Sequence, residues 1–352
     1  MSNSLCRLNL SHVGLIFLTA WLLQPNPTWA GTPIKGNRLR PGDTIAFVSP
    51  ASAVQAVFPN IDEYKDHVTS SFNALGLNVL FSPNAFEFGP SGLAGNDSQR
   101  ASDIMWAFTN PDVKGIIANR GGWGCNRILD LLDYQVIRNN PKVFMGYSDL
   151  TGCTLALNRL TDLVTFSGPV GTDTFGGNFN TFYIRKVLID GEPNVIYSNP
   201  PPLGGGPPNG TTTIVPGTAR GRLIGGTLTV LVALLGTPYA PAQDEPYILF
   251  LEDTNDNTYR LDRLLTTLHL AGFFENAKGL IWGTCMECVP DKPGHWTVED
   301  LLEERWSHLA NIPSFSGAMI GHFGQQFTLP IGVQVEMNAD LGTITLLEAG
   351  VN

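Results

Sequence analysis

Charge is what this chain has least of. Of its 352 residues only 15% are charged, with a formal net charge of −10. No cluster of lysine or arginine could track phosphates, so nucleic acid is not an expected partner. Cysteine is equally sparse at five residues, too few for a disulfide scaffold in a chain with ample hydrophobic residues. The Lys-Ser/Thr pair of a phosphate-binding loop is missing, and so is the G-x-G-x-x-G spacing of a dinucleotide cradle. No fixed-period repeat is present.

The first thirty residues read as a processing signal rather than as fold. Arg7 is their only charge, the apolar run "GLIFLTAWLL" (14–23) follows, and Thr28-Trp29-Ala30 sets up a cut after Ala30. That run is short for a membrane span, which makes an uncleaved anchor the weaker reading. Cys6 lies before the run, too early for a lipid-modified junction. The expected mature protein is therefore exported, periplasmic or secreted, without stable membrane insertion. About 320 residues remain, enough for two modest domains.

From Asp43 onward short β-branched runs alternate with helical stretches. "DTIAFVS", "LNVLFS", "VKGIIANR", "KVFMGYS" and "DLVTFSG" read as strands. Between them "FPNIDEYKDHVTSSFNAL", "DSQRASDIMWAFTN" (with Asp97 as its cap), "CNRILDLLD" and "TGCTLALNRL" read as helices. This alternation predicts an α/β fold with a mainly parallel sheet covered on both faces. Glycine and proline crowd residues 171–217, where the domain boundary is expected. The second half is more mixed: a helical "GTLTVLVALLG", a strand "PYILFLED", a helix "TYRLDRLLTTLHLAGF", a strand "AKGLIWGT", a helix "TVEDLLEERWSHL", a strand "SFSGAMIGHF" and a closing hairpin turning at Asn338–Gly342.

Ligands on wound parallel sheets sit at the carboxyl ends of the strands, and three unusual polar stretches fall there. "NRGGWG" brings Gly121, Gly122 and Gly124 to one turn, suited to close backbone approach or to an oxyanion hole, and otherwise simply a tight turn. "MGYSDLT" resembles a nucleophile elbow around Ser148, with Leu150 where the motif's last glycine would stand. Helix capping by Ser148 or Asp149 is the competing reading. "LED" ends a strand with Glu252 and Asp253, an acidic pair that is costly to bury unless compensated; Asp253 as a cap of the next helix is the plain alternative. Asp43, Asp130 and Asp133 rank below them.

Five histidines follow residue 30. His67, His269, His295 and His308 have bland helical or loop contexts, whereas His322 sits where an apolar run meets a glycine-flanked loop, "MIGHFGQQ". Its ordinary pKa near 6.5 suits proton exchange. The pair in "CMEC", Cys285 and Cys288, has the C-x-x-C spacing of a zinc or redox motif. No second pair completes a four-ligand site, so a disulfide or plain core thiols is the expectation.

Across several long stretches in order, the chain resembles the LD-carboxypeptidase family, serine peptidases that include muramoyltetrapeptide carboxypeptidases and microcin C self-immunity peptidases. The resemblance runs from about Leu39 to Leu347. It is carried by "LRPGDTIAFVSPAS", "NRGGWGCNRILDLLDYQVIRNNPKVFMGYSDLT", "GGTLTVLVALLGTPY", "ILFLEDTNDNTYRLDRLLTTLHLAGFF", "AKGLIWG" and "GHFGQQFTLPIG". It implies Ser148 as nucleophile, His322 as base and Glu252 as its orienting carboxylate. It implies an oxyanion hole from the backbone N–H of Asp149 and of Gly121 or Gly122, leaving the Asp149 side chain as the helix cap. A Rossmann-like N-terminal domain (38–170), a linker (171–217), a smaller barrel-like C-terminal domain (218–352), no metal or other cofactor, and a homodimer are implied as well. Trp123, Cys125, Ser167 and Thr227 depart from the family's usual tyrosine, serine or asparagine, histidine, and asparagine. The expected activity is hydrolysis of an L,D peptide bond in a peptidoglycan-derived peptide, releasing the terminal D-alanine of a tetrapeptide. The alternatives are cleavage of aminoacyl or peptidyl nucleotides, or an inactive wall-binding role.

Overall fold

The computed structural model describes residues 32–173, 178–200, 210–309 and 311–352. The expected signal at 1–30 lies outside the described residues, as do 174–177 and 201–209 of the glycine- and proline-rich stretch.

The first half winds β1 (Thr44–Val48), β2 (Asn78–Phe81), β3 (Val113–Ala118), β4 (Val143–Met145) and β5 (Thr165–Ser167) into a parallel sheet. The helices α1 (Ile61–Asn73), α2 (Asp97–Thr109), α3 (Tyr134–Asn139) and α4 (Thr151–Thr161) alternate with these strands. Strand residues such as Ile45, Phe47, Ile116 and Phe144 are fully buried, as a sheet covered on both faces requires. Helix α2 starts one residue earlier than expected: Asn96 forms a reciprocal capping box with Gln99. Asp97 instead sits in the first turn and pairs with Arg100 and Arg127.

After α5 (Asn178–Ile184) come β6 (Ile196–Tyr197), β7 (Thr212–Val215), β8 (Thr218–Thr227), α6 (Leu228–Ala233), β9 (Tyr247–Thr254), α7 (Thr258–Leu270), β10 (Ala277–Met286), α8 (Val298–Leu309), β11 (Ser314–Ser316), β12 (Leu329–Ile331), β13 (Gln334–Asn338) and β14 (Thr343–Leu346). Eight of these strands form a second sheet in the order β6-β14-β13-β8-β9-β10-β11-β7, curled as a half-barrel. Its centre, β8 to β11, is parallel and its flanks are antiparallel.

Four features depart from expectation. Strand β8 is unannounced because Gly221, Gly225 and Gly226 interrupt its apolar pattern. They are there because β9 lies too close for side chains: a Cβ on Gly221 would sit 2.7 Å from the Tyr247 Cα. The helix expected from Gly226 consequently begins at Leu228. Of "SFSGAMIGHF" only Ser314–Ser316 is strand, and the chain then turns at Gly317, φ 84°, into the loop that carries His322. Most consequential for the site, β12 leaves the second half and adds antiparallel to β5, closing the edge of the first sheet. The segment 171–217 likewise supplies β6 and β7 to the second sheet. One buried cluster runs through both halves, from Phe47 and Phe144 to Phe250, Trp282 and Leu329.

Candidate active site

The site lies where residues just past the carboxyl end of β4 and at the carboxyl end of β9 meet through the loop that carries His322. Strand β4 ends at Met145, and Gly146 allows the sharp turn that follows, since a Cβ there would lie 2.7 Å from the Leu150 side chain. Ser148 then adopts φ 62°, a left-handed conformation uncommon for a residue with a side chain. Such strain persists only where the surroundings impose it.

His322 Nε2 stands 2.9 Å from Ser148 Oγ, and its Nδ1 stands 2.7 Å from Glu252 Oε2. Glu252 is 2% exposed, and its other oxygen, Oε1, accepts from the Thr227 hydroxyl. With Glu252 ionised, Nδ1 carries the proton and Nε2 is left to accept the serine O–H. Gly321, φ 96°, is what lets the carboxylate through: a Cβ there would sit 2.2 Å from Glu252 Oε2. Burial pulls the imidazole pKa down, but the hydrogen bond and charge of Glu252, with Asp253 and Asp173 behind it, leave it raised above 6.5.

The glycine turn closes the other side. A Cβ on Gly121 would fall 2.8 Å from Ser148 Cβ and 3.5 Å from the Asp149 backbone nitrogen, so the turn lies directly on the elbow. Gly122, φ 110°, faces Ser52 instead, whose hydroxyl accepts from Trp123 N at 3.3 Å. The Asp149 side chain is not the expected helix cap. Its Oδ2 accepts from Cys125 N at 2.8 Å, tying the elbow to the end of the glycine turn. The helix has no side-chain cap at this point, because a strained 3₁₀ turn, Ser148–Leu150, leads directly into α4.

Asp253 does not cap the helix that follows it, since α7 starts after Asn257 with no side-chain cap bond. Instead it accepts from Thr229 N at 2.9 Å and from the Thr229 hydroxyl at 2.7 Å, in the first turn of the preceding helix α6. Asp133 caps α3 and Asp43 accepts from Arg40 N. The remaining histidines stay away from the chain of bonds around Ser148: His295 pairs with Asp291, His308 with Glu304, His269 stacks on Phe274, and His67 approaches the Asp173 carbonyl.

Sequence reasoning passed over a second group. Tyr147 packs its ring edge-on to His322, centroids 5.1 Å apart, and donates its hydroxyl to Asp173 Oδ1 at 3.2 Å. Asp173 Oδ2 accepts from Val170 N and Gln326 Nε2, and burial pushes this carboxyl up to about 6. Nothing in the glycine-rich text around Asp173 signals this role, whereas Gln326 stood in plain view beside "GHFG". Thr227, a noted departure, proves to be a direct partner of Glu252, and its backbone N–H donates to Thr151 Oγ1 at 3.0 Å.

Cys285 and Cys288 form a disulfide, which with Trp282 and Phe323 lines a cavity of about 440 Å³ beside the His322 loop. Cys125 and Cys153 are buried free thiols. Among the described residues no group of three or more His, Cys, Asp or Glu could hold a metal ion, and no helix is long and apolar enough to cross a membrane.

Residues 45–168 match the model of the LD-carboxypeptidase N-terminal domain, and residues 220–337 that of the LD-carboxypeptidase C-terminal domain. The chain belongs to the LD-carboxypeptidase family. It is a peptidase, and carboxypeptidase is the activity its relatives' names carry. The Bacillus subtilis (strain 168) protein named "Probable murein peptide carboxypeptidase" is 32% identical over 324 residues, 90% of this chain and 95% of that one. The microcin C7 self-immunity protein MccF, known from Escherichia coli, superposes with a TM-score of 0.81 at 25% identity, covering 91% of this chain and all of that one. A muramoyltetrapeptide carboxypeptidase from Oxalobacter formigenes superposes with a TM-score of 0.71 at 29% identity, covering 86% and 97%. The family's two-domain α/β fold is thus the fold of this chain.

Proposed function

We propose that this LD-carboxypeptidase homologue is a serine peptidase that hydrolyses an L,D peptide bond and releases the terminal D-alanine of a peptidoglycan tetrapeptide. The observation that carries the reading is the hydrogen-bonded chain Ser148–His322–Glu252 at the end of a strained elbow. Ser148 Oγ bonds to the scissile carbonyl carbon while its proton passes to His322 Nε2. Glu252 holds the imidazole in the right tautomer and offsets the imidazolium charge. The developing oxyanion turns toward the Asp149 N–H and an N–H of Gly121 or Gly122, donors fixed before reaction. Collapse breaks the C–N bond, and the imidazolium returns its proton to the departing D-alanine amine. Water, deprotonated by the same nitrogen, then cleaves the acyl ester, which frees the shortened peptide and restores Ser148. A murein substrate agrees with the export read from residues 1–30.

The likeness to MccF supports a second reading, cleavage of an aminoacyl or peptidyl nucleotide by the same residues. Turnover by the purified mature protein on a defined tetrapeptide and on an aminoacyl sulfamoyl adenylate separates the two. D-alanine release from the tetrapeptide is expected, and Ser148→Ala is expected to reduce it by at least about 10³-fold. Unchanged turnover in that variant would remove the nucleophile assignment.

A further inference from the structure

Three arginines border the glycine turn, and they are not equivalent. Arg100 is buried; it donates to the Pro50 carbonyl at 2.6 Å and the Gly124 carbonyl at 2.9 Å and pairs with Asp97. Arg127 pairs with the same Asp97 at 2.8 Å and lies over the Trp123 ring. Arg120 has no carboxylate: among the described residues its guanidinium makes one bond, from Nη1 to the Ala53 carbonyl at 3.2 Å. Its Nη2 lies 3.7 Å from the point that a Cβ on Gly122 would occupy. Burial pulls its pKa down, and the ionisable side chain that acts on it, Tyr147, the residue before Ser148, is a neutral phenol that donates to Asp173 rather than a counter-ion.

A half-buried cation without a partner is costly, and an anionic group arriving with the substrate would compensate it. What the site itself offers is of one sign. Glu252, Asp253 and Asp173 surround His322, so a substrate bearing a carboxylate next to its scissile bond enters a field of like charge. One residue spans at most about 3.6 Å, which puts the terminal carboxylate of a carboxypeptidase substrate within a side chain's reach of the nucleophile. Gly121, which packs on Ser148, is the immediate neighbour of Arg120 in the chain. A guanidinium offers the planar two-pronged donor that a carboxylate accepts best.

We propose that Arg120 is the residue that recognises the free terminal carboxylate of the substrate and so restricts this peptidase to the last peptide bond. The inference rests on the carboxypeptidase reading above. It deepens that reading by assigning exo-specificity to one side chain.

The test uses the mature protein and two matched tetrapeptides, one ending in D-alanine and one in its carboxamide. Wild-type kcat/KM is expected to favour the free acid by about 10- to 100-fold, the range of a hydrogen-bonded charge. Arg120→Gln is expected to bring that ratio to within about threefold of one, and Arg120→Lys, which keeps the charge but not the fork, to an intermediate value. A ratio that stays at the wild-type value while both rates fall would make Arg120 merely structural and overturn the proposal. Equal wild-type turnover of acid and amide would overturn it too, with the peptidase reading intact. Should wild-type protein cleave neither peptide, the carboxypeptidase reading itself falls and takes this inference with it. If Arg120→Gln does not fold, the ratio measured for Arg120→Lys decides alone, and a wild-type value there would count against the proposal.

Discussion

Replacing Glu252 by glutamine tests the proton chemistry with almost no change of shape. The wild-type carboxylate is 2% exposed and 2.7 Å from His322 Nδ1, so its charge acts on the imidazole with little screening by water. Taking the two charge centres as about 4 Å apart and an effective dielectric of about 20, the attraction to a full imidazolium is about 4 kcal/mol. A transition state that places this charge on His322 would lose about 10³ in rate. The pH profile supplies a second readout whose sign is fixed independently. The proposed mechanism needs neutral His322, so activity is expected to fall as pH drops through its pKa, which in the wild type lies above 6.5. Burial alone lowers that pKa and Glu252 is the main group raising it. Removing the charge should therefore move the acid limb of kcat/KM to lower pH while kcat falls. Steady-state kinetics between pH 5 and 9 on the tetrapeptide would read both, with 5 and 9 chosen as about the useful range around a histidine. A Glu252→Gln enzyme with an unmoved acid limb, or with kcat reduced less than about tenfold, would refute the argument.

Gly321→Ala should cost at least about 10² in kcat and lower the melting temperature, because the new methyl meets Glu252 Oε2 at 2.2 Å and a residue other than glycine is strained at φ 96°; wild-type kinetics in this variant would show that the carboxylate can be displaced without consequence. Asp149→Ala leaves the buried Cys125 N–H without its acceptor, an expected loss of about 1–3 kcal/mol in denaturant unfolding together with reduced kcat. Asp149→Asn, which keeps an acceptor oxygen, should fall between the two, and a melt of Asp149→Ala that matches the wild type would dismiss the tether.

What could be read in advance depended on whether the cause was local. The strands β1, β3, β4 and β9 carry β-branched runs bounded by polar ends, so their existence and the placing of Ser148 and Glu252 at their termini were legible. His322 was singled out by the loop that follows an apolar run. Strand β8 was hidden because its glycines answer to a neighbouring backbone, and proximity to Tyr247 and Phe250 leaves no periodic trace. Strand β12 was hidden for a different reason: three residues with Pro330 in the middle look like loop, and at a sheet edge a proline need not donate to the ladder. The Asp149 side chain was misjudged because an aspartate at a helix start is usually a cap. Here the Cys125 N–H, distant by 24 positions, competes for the same oxygen and wins.

These hidden elements explain why the site can exist at all. Ser148 belongs to the first sheet, Glu252 to the second, and His322 to the loop between β11 and β12, so no single sheet holds two of the three. Their register must come from contacts between the halves. Thr227 provides one, since its N–H donates to Thr151 on the helix that follows Ser148, while its hydroxyl donates to Glu252 on the neighbouring strand of its own sheet. Gly226 permits it, because a Cβ there would lie 2.5 Å from Thr151 Oγ1. Strand β12 provides another by pinning the far end of the histidine loop to β5. A small relative shift of the halves would lengthen the 2.9 Å and 2.7 Å bonds together, and misplacement of about 1 Å is enough to cost about 10² in rate. On the proposed mechanism, activity thus depends also on a threonine and a three-residue strand that touch no scissile bond but join the two halves that carry the site.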